Sequence, residues 1–500
     1  MRLGLALACW ASVALGQTSI YVSGPGAGGA SLSQLRTPGT GLQTYFVDPA
    51  GSDANACTAS GASACLTIQG AINKVPKLLR DQVTVSVVAG SYAGYIVSGF
   101  GSDNGVQQET GGLLIEGALA TSTLATGSAT GTATSGTAGT GSTFGTLTDS
   151  TATWTVNDLR GRFITTATPT NTAFPIASNT ATTITIEGTW SAPTGSTTYT
   201  IQDPSVILTS AGPNQPATPI GASVANRATI QVFGNQLNYR ANALVIRSMR
   251  ITSTLGSGVE ITDATALRLE QMQIRPTAAT AEGIRVVTLT GAEDPLVTVS
   301  KTDLSLGSSV AGINTSSGSL TLSNVLLRNT TAGSAGVSMG GGTGNFARGV
   351  TFSGVEISGW VVGIRLANGQ LTGTTAISST RITCSSGAGT GLSVGSLTDR
   401  AAGAPAALGP IASTDIATCG TGVRVQGPGS VDVTGISGTV STTGFSVITG
   451  GLLTFVSSGV TLTGGTDVSL DLGDVTSTYA GVAANTCTSV LGSSSRACAR

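Results

Sequence analysis

Through the second half of the chain, apolar and polar residues alternate in short bursts that open on glycine. The phrase glycine, apolar, any residue, apolar occurs at Gly258-Val259-Glu260-Ile261, Gly283-Ile284-Arg285-Val286, Gly336-Val337-Ser338-Met339, Gly363-Ile364-Arg365-Leu366, Gly391-Leu392-Ser393-Val394, Gly422-Val423-Arg424-Val425 and Gly444-Phe445-Ser446-Val447. Gly312-Ile313-Asn314-Thr315 and Asp467-Val468-Ser469-Leu470 are degraded copies. Successive copies begin roughly 22 to 31 residues apart, a period at which stacked repeats are built. Alternation of period two predicts a strand at each copy. A second strand follows in its own register: Leu244-Val245-Ile246 leads to Met249-Arg250-Ile251, and Val350-Thr351-Phe352 to Val355-Glu356-Ile357. Residues between the half-strands are small or polar, as a bend requires. The glycine that opens the first strand is expected to supply a positive φ at a tight corner. An antiparallel sandwich would instead need two-residue turn signals about every 8 to 12 residues, and Asn368-Gly369 is the only Asn-Gly between residues 204 and 484. Stacked parallel coils, about nine to twelve of them, are expected.

Upstream the period changes. From Thr67, a helix is predicted with Ile68, Ala71, Ile72, Val75 and Leu79 on one face, ended near Val75 by Pro76. Val83 to Val87 returns to period two, and Ala89-Gly90-Ser91-Tyr92 is expected to turn the chain. Tyr45-Phe46-Val47-Asp48-Pro49, Leu66-Thr67-Ile68-Gln69-Gly70-Ala71-Ile72-Asn73 and Val87-Val88-Ala89-Gly90-Ser91-Tyr92 together resemble the entry of pectin-lyase-like right-handed parallel β-helix proteins. The resemblance implies that this amphipathic helix caps the open end of a solenoid, where unpaired backbone and core would otherwise be exposed. Between about 121 and 203 the repeat is interrupted. Gly145-Thr146-Leu147-Thr148-Asp149, Trp154-Thr155-Val156-Asn157-Asp158, Thr183-Ile184-Thr185-Ile186 and Thr198-Tyr199-Thr200-Ile201 look like a small β module that recurs in bacterial and phage surface proteins. The expected fold class is all-β: a right-handed parallel β-helix with an N-terminal capping helix and a small inserted β domain. A signal peptide is expected over 1–16, a flexible leader over 17–44, cap and first coils over 45–120, the inserted module over 121–203, the main β-helix over 204–484 and a C-terminal cap over 485–500.

The signal peptide rests on Arg2, the apolar run Leu3 to Leu15 and the small-x-small site Ala14-Leu15-Gly16. About thirteen apolar residues are too few to span a bilayer, so the expectation is a secreted or cell-surface chain without a membrane span. Six cysteines then remain and fall into neighbours: Cys57 with Cys65, Cys384 with Cys419, and Cys487 with Cys498. An even number in an exported protein favours disulfides over metal sites, although six cysteines allow fifteen connectivities. Charged residues make up only 9% of the chain and the net charge is −1, which leaves no basic patch for nucleic acid. The chain has no histidine. That removes Ser-His-Asp and Cys-His nucleophiles and nearly all zinc enzyme sites. No cofactor and no metal are expected.

In stacked coils, equivalent positions lie about 4.8 Å apart, so chemistry is sought in columns. The outward first-strand column is predicted as Glu260, Arg285, Asn314, Ser338, Arg365, Ser393, Arg424, Ser446, Ser469, and the second as Arg250, Gln273, Ser305, Leu326, Glu356, Arg381, Asp415, Ser437. Glu356, Arg381 and Asp415 thus fall on consecutive coils. Carboxylates two coils apart would stand roughly 10 Å from each other, near the upper limit for an inverting glycosidase pair, with Arg381 able to bind an acidic sugar. The same trio would equally form a charge ladder in which Arg381 neutralises its neighbours. Trp360 would be a carbohydrate platform beside them or a core residue. The Gly340-to-Gly344 run lacks the ending of a phosphate loop and is expected to join coils. Asp48, Asp53 and Asn55 suit a glycine-rich turn as well as they suit calcium.

Thr67 to Pro76 also looks like the opening of pectin methylesterases, but their Gly-x-x-Asp-Phe-Ile-Phe-Gly and Leu-Gly-Arg-Pro-Trp signatures are missing. So is the Arg-x-Pro-x-x-Arg of common pectate lyases, and the Gly-His-Gly of polygalacturonases needs a histidine. The resemblance transfers a fold and no catalytic residue. The expected role is structural or adhesive, with polysaccharide or cell-surface glycan bound along a solenoid face by Trp360, Glu356, Arg381 and Asp415. The alternative is a polysaccharide lyase or glycoside hydrolase acting through the same trio.

Overall fold

A computed structural model describes residues 43–79, 82–102, 112–140, 143–210, 228–233, 244–252, 256–262, 266–287, 295–307, 310–316, 318–340, 347–367, 375–395, 407–426, 429–448, 452–455, 461–463, 466–471 and 490–491. The expected signal peptide, nearly all of the leader, Cys487, Cys498 and most of the Gly340-to-Gly344 run lie outside these residues.

The protein is almost entirely β, and most of its strands pair in parallel in one large sheet. Each strand pairs in parallel with its counterpart a repeat later: Leu244–Arg247 with Ala266–Glu270, that with Leu296–Leu306, then Gly318–Met339, Ala347–Leu366, Thr375–Cys384 and Ala407–Ala417. This is the pairing pattern of a parallel β-helix. The alternation read from the sequence places one residue in two inside. Val85, Ile115, Ile246, Leu269, Val299, Leu322, Phe352, Ile377, Ile411 and Val433 are consecutive register partners. All are fully buried, so the apolar column runs unbroken from coil to coil. At about 25 cal/mol per Å² of buried apolar surface, such columns supply the main stabilisation of a stack.

The bend between half-strands is a single residue in the left-handed region, repeated coil after coil at Ser248, Gln271, Lys301, Asn324, Gly354, Ser379 and Ser413. The repeat glycines have a different role from the one expected. None of Gly258, Gly283, Gly312, Gly336, Gly363, Gly391 or Gly422 has a positive φ. They are required by space. A Cβ on Gly336 would lie 2.3 Å from Ile357 Cγ2 and 2.7 Å from the Gly363 carbonyl, and the same clash recurs up the stack.

The predicted helix forms as Ile68–Lys74, with the Thr67 hydroxyl capping Gly70 N at 2.9 Å. Its apolar face, Ile68, Ala71, Ile72 and Val75, is buried against Gln43–Val47, Val83–Val87 and Tyr95–Ser98. Where a turn was expected at Ala89–Tyr92, a short strand Gly90–Ala93 pairs in parallel with Val206–Ser210. Asp53 accepts from the amide and hydroxyl of Thr67, and Asn55 donates to the carbonyls of Ala62 and Ala64, so both side chains tie the turn. Cys57–Cys65 and Cys384–Cys419 are disulfides, the second joining adjacent coils. Among the described residues no helix is long and apolar enough to cross a membrane.

Between Leu119 and Pro204 the chain forms a separate antiparallel sheet, with its own core of Leu147, Trp154, Ile164, Ile176, Ile184, Trp190 and Ile201.

Candidate functional site

The second-strand column stands nearly as predicted. Arg250, Gln273, Asp303, Leu326, Glu356, Arg381, Asp415 and Ser437 are successive register partners. One member is corrected: the column holds Asp303, not Ser305. The pattern misled there because Leu304-Ser305-Leu306 repeats the apolar-x-apolar phrase two residues late, while the inward residue is Thr302. Its buried hydroxyl is satisfied by Ser300 O at 2.8 Å.

Glu356, Arg381 and Asp415 therefore do lie on three consecutive coils, about 10 Å from end to end. They do not line an open groove. The antiparallel sheet is bonded to this face. Glu187, fully buried, holds Arg381 Nη1 at 2.9 Å, while the guanidinium stacks on Phe144 at 3.5 Å from the ring centroid. Arg160 approaches Glu356 at 3.9 Å, and Ser358 donates to the same carboxylate at 3.2 Å. Asp415, half-buried, accepts from Ser437 at 3.2 Å.

The contact continues toward the N-terminal coils. Asp203 of the antiparallel sheet takes Arg250 Nη2 at 2.7 Å and Gln273 Nε2 at 2.9 Å, together with Arg162 and Ser122 from its own sheet. Burial pushes the Asp203 carboxyl up, but the Gln273 bond and Arg162 outweigh it and hold it below the usual range. Gln273 also donates to Gly161 O at 2.8 Å, and Lys301 donates to Thr172 O at 2.7 Å. Asp303 is fully buried between Arg275, at 3.0 Å, and Arg328. Its desolvation is outweighed by the two guanidiniums, so its pKa is also lowered. Glu187 is the exception: burial pushes it up to about 8 despite Arg381, and Glu356 pushes the same way.

Trp360 is fully buried. It packs beneath the repeat glycines, where a Cβ on Gly312 would come within 2.9 Å of its ring. It is a core residue and presents no platform.

The first-strand column matches its prediction residue by residue from Glu260 through Arg285, Asn314, Ser338, Arg365, Ser393, Arg424 and Ser446 to Ser469, and Gln231 extends it by one coil. At its N-terminal end, the stacked pair of Glu260 and Arg285, legible in the predicted column, is joined by Glu282, which the sequence did not single out. Arg285 stands between Glu260 at 4.0 Å and Glu282 at 3.7 Å, and Asn314 donates to Glu282 at 2.7 Å. Burial raises both carboxyl pKa values, and Arg285 opposes the rise in each. The available signal was position: Glu282 directly precedes the repeat glycine Gly283, beside the Glu260–Arg285 pair. Further along, Arg365 and Arg424 are half-buried and have no carboxylate partner among the described residues. A third face carries a ladder of Thr298, Thr321 and Thr351 beside Ser300, Ser323, Ser353 and Ser378.

No protein-family model matches the chain, and no curated protein sequence matches it. Among solved structures it is similar to a protein described as a glycoside hydrolase, at 9% identity over 89% of this chain and 97% of that one, with a TM-score of 0.24. It is also similar to the tailspike protein gp49 of Pseudomonas phage LKA1, at 10% identity over 81% and 66% of the two chains, with a TM-score of 0.18. The Gp54 tailspike of Acinetobacter baumannii bacteriophage AP22, solved with a capsular saccharide, matches at 13% identity over 78% and 64%, with a TM-score of 0.19. Likenesses this distant assign no role.

Proposed function

We propose that the chain is a secreted or cell-surface right-handed parallel β-helix of the pectin-lyase-like kind, with a structural or adhesive role and a polysaccharide held along its first-strand face. In this reading the helix Ile68–Lys74 is the N-terminal cap and the antiparallel residues are an inserted module seated on the second-strand face. The observation that carries it is the engagement of Arg381 by Glu187 and Phe144 and the approach of Arg160 to Glu356. Two of the three side chains that a catalytic trio would need are engaged by the antiparallel residues. The first-strand face keeps Arg365 and Arg424, two coils apart, as guanidinium donors for sugar oxygens. The two disulfides suit an oxidising compartment.

A lyase or hydrolase is the second reading, and Glu260 with Glu282 favours it, since a buried carboxyl with a raised pKa suits a general acid. Arg285 between them counts against it, because it neutralises both. The test is a glycan array and a reducing-end assay on the purified chain. Binding without turnover is expected, and Arg365→Ala with Arg424→Ala should abolish the binding. Turnover that disappears in Asp415→Asn or Glu282→Gln would overturn the non-enzymatic reading.

A further inference from the structure

The antiparallel sheet carries a groove that takes no part in its bonding to the coils. Its volume is about 830 Å³. Asp149 and Tyr199, both buried, form the floor, and the exposed side chains of Ser128, Thr130, Thr132 and Thr151 stand along the walls. The residues that bond to the coils, among them Gly161, Thr172, Glu187 and Asp203, are not in its lining.

The floor is fixed from several sides. Asp149 Oδ1 accepts from the Thr151 amide at 2.9 Å and hydroxyl at 2.6 Å, and Oδ2 accepts from Tyr199 at 2.7 Å. Trp154 packs edge-on against Tyr199 and donates its indole N–H to Ser128 O at 3.0 Å, which ties floor to wall. Gly131 leaves the floor open: a Cβ there would lie 2.4 Å from the Tyr199 hydroxyl and 2.8 Å from Asp149 Oδ2. Burial raises Asp149, but the bonds from Thr151 and Tyr199 outweigh it and the carboxyl stays below its ordinary range. It is a fixed anion at neutral pH.

We propose that this groove binds a neutral oligosaccharide. The volume falls within the range of small-molecule sites, which are mostly apolar with a few placed polar groups. Here the placed polar groups are one carboxylate and a set of hydroxyls. The walls are hydroxyls, each able to donate and accept, and they suit a ligand whose own surface is hydroxyl. The amide and hydroxyl of Thr151, the Tyr199 hydroxyl and the Ala152 amide fill the roughly four acceptor positions of Asp149, so the groups left for a sugar are the wall hydroxyls of Ser128, Thr130, Thr132 and Thr151. The lining contains no Lys or Arg. A carboxylated or sulfated sugar would meet an anion and no counter-charge. The site is separate from the first-strand face and needs no contribution from it.

The test is calorimetric titration of the full chain with cellotetraose, maltotetraose and chitotetraose, and with tetragalacturonate as the acidic counterpart. At least one neutral member should bind, more tightly than tetragalacturonate. Thr132→Trp, which fills the groove from an exposed position, should weaken that binding at least tenfold at an unchanged thermal midpoint. Thr132→Val, which keeps the shape and removes one hydroxyl, should weaken it severalfold. If Thr132→Trp lowers the midpoint, Thr153→Trp on the same lining replaces it. Arg365→Ala should leave groove binding intact, which separates failure here from failure of the solenoid-face reading. Lack of binding by all three neutral probes, equal binding of tetragalacturonate, or insensitivity to the filling variants would overturn the proposal.

Discussion

Two outward faces of the same coils, built from the same alternation, are finished in opposite ways. On the second-strand face, Asp303, Gln273 and Leu326 are fully buried, and charged residues from Arg250 to Arg381 meet partners on the antiparallel sheet or on neighbouring coils. On the first-strand face, Arg365 and Arg424 stand with no carboxylate partner among the described residues. Strand geometry is indifferent to this distinction, because any outward position can hold charge. What separates the faces is the degree of desolvation: a buried charge without a partner costs several kcal/mol, whereas Arg365 and Arg424 are only half-buried. Gln231 and Glu260 at the N-terminal end of this face, and Arg424 Nε, are nonetheless buried. The covered face should therefore govern stability, and the open face recognition.

The largest test of that division is Asp303→Ala. It would leave Arg328, almost fully buried, without its counter-charge and would remove the Arg275 bond. Breaking one partner of a buried pair typically costs about 3–5 kcal/mol. The denaturant midpoint should fall accordingly, and hydrogen exchange should quicken in the segments of residues 119–204 that meet the coils. A loss below about 1 kcal/mol would mean that water reaches Asp303 and that the face is less covered than its geometry indicates.

Glu187 offers a smaller effect with a definite sign. Its folded pKa is raised to about 8 from the ordinary 4.5. The folded state therefore keeps a proton that the unfolded chain releases across that window, so this contribution is complete below about pH 4.5 and is lost as pH rises toward 8. The slope from one such group is at most about 1.4 kcal/mol per pH unit. Asp203 and Asp303 act in the other direction: their lowered pKa values add stability above the usual carboxylate range, lost as pH falls through it. Glu187→Gln should flatten the slope between about pH 4.5 and 8 and leave the limb below it unchanged. Stability that still declines just as steeply from pH 5 to 8 in the variant would assign the slope to another group.

The coils were legible because their signal is periodic. Gly336-Val337-Ser338-Met339 and its copies state inside and outside residue by residue, and the first-strand column needed no correction. The glycines were found for the wrong reason, since the spacing of Gly336 from Ile357 and the Gly363 carbonyl belongs to the stack and not to the local chain. Asp303 was missed because Leu304-Ser305-Leu306 carries the apolar-x-apolar phrase more plainly than Thr302-Asp303-Leu304 does. The docking of the antiparallel sheet is a contact between segments far apart in sequence, and alternation carries no information about it. One residue did hint at it: Leu326 is an apolar side chain at an outward position in a column of charges, and it is buried. Trp360 could not be placed from sequence because its room is made by Gly312 and Gly336 on other coils.

The smallest expected change in stability belongs to the open face, where it matters most for the comparison. Arg365→Ala removes a half-buried guanidinium that has no carboxylate partner among the described residues, and surface changes of this sort usually fall within about 0.5 kcal/mol. The denaturant midpoint should scarcely move, while polysaccharide binding should fall, by about 1–2 kcal/mol if one charge-assisted hydrogen bond is lost. Arg381→Ala supplies the converse, since it removes the hydrogen-bond partner of buried Glu187 and the stacking on Phe144, and it should lower stability while leaving ligand affinity alone. If Arg365→Ala costs as much stability as Arg381→Ala, the first-strand face is also a protein contact. The two faces would then differ only in which partner covers them.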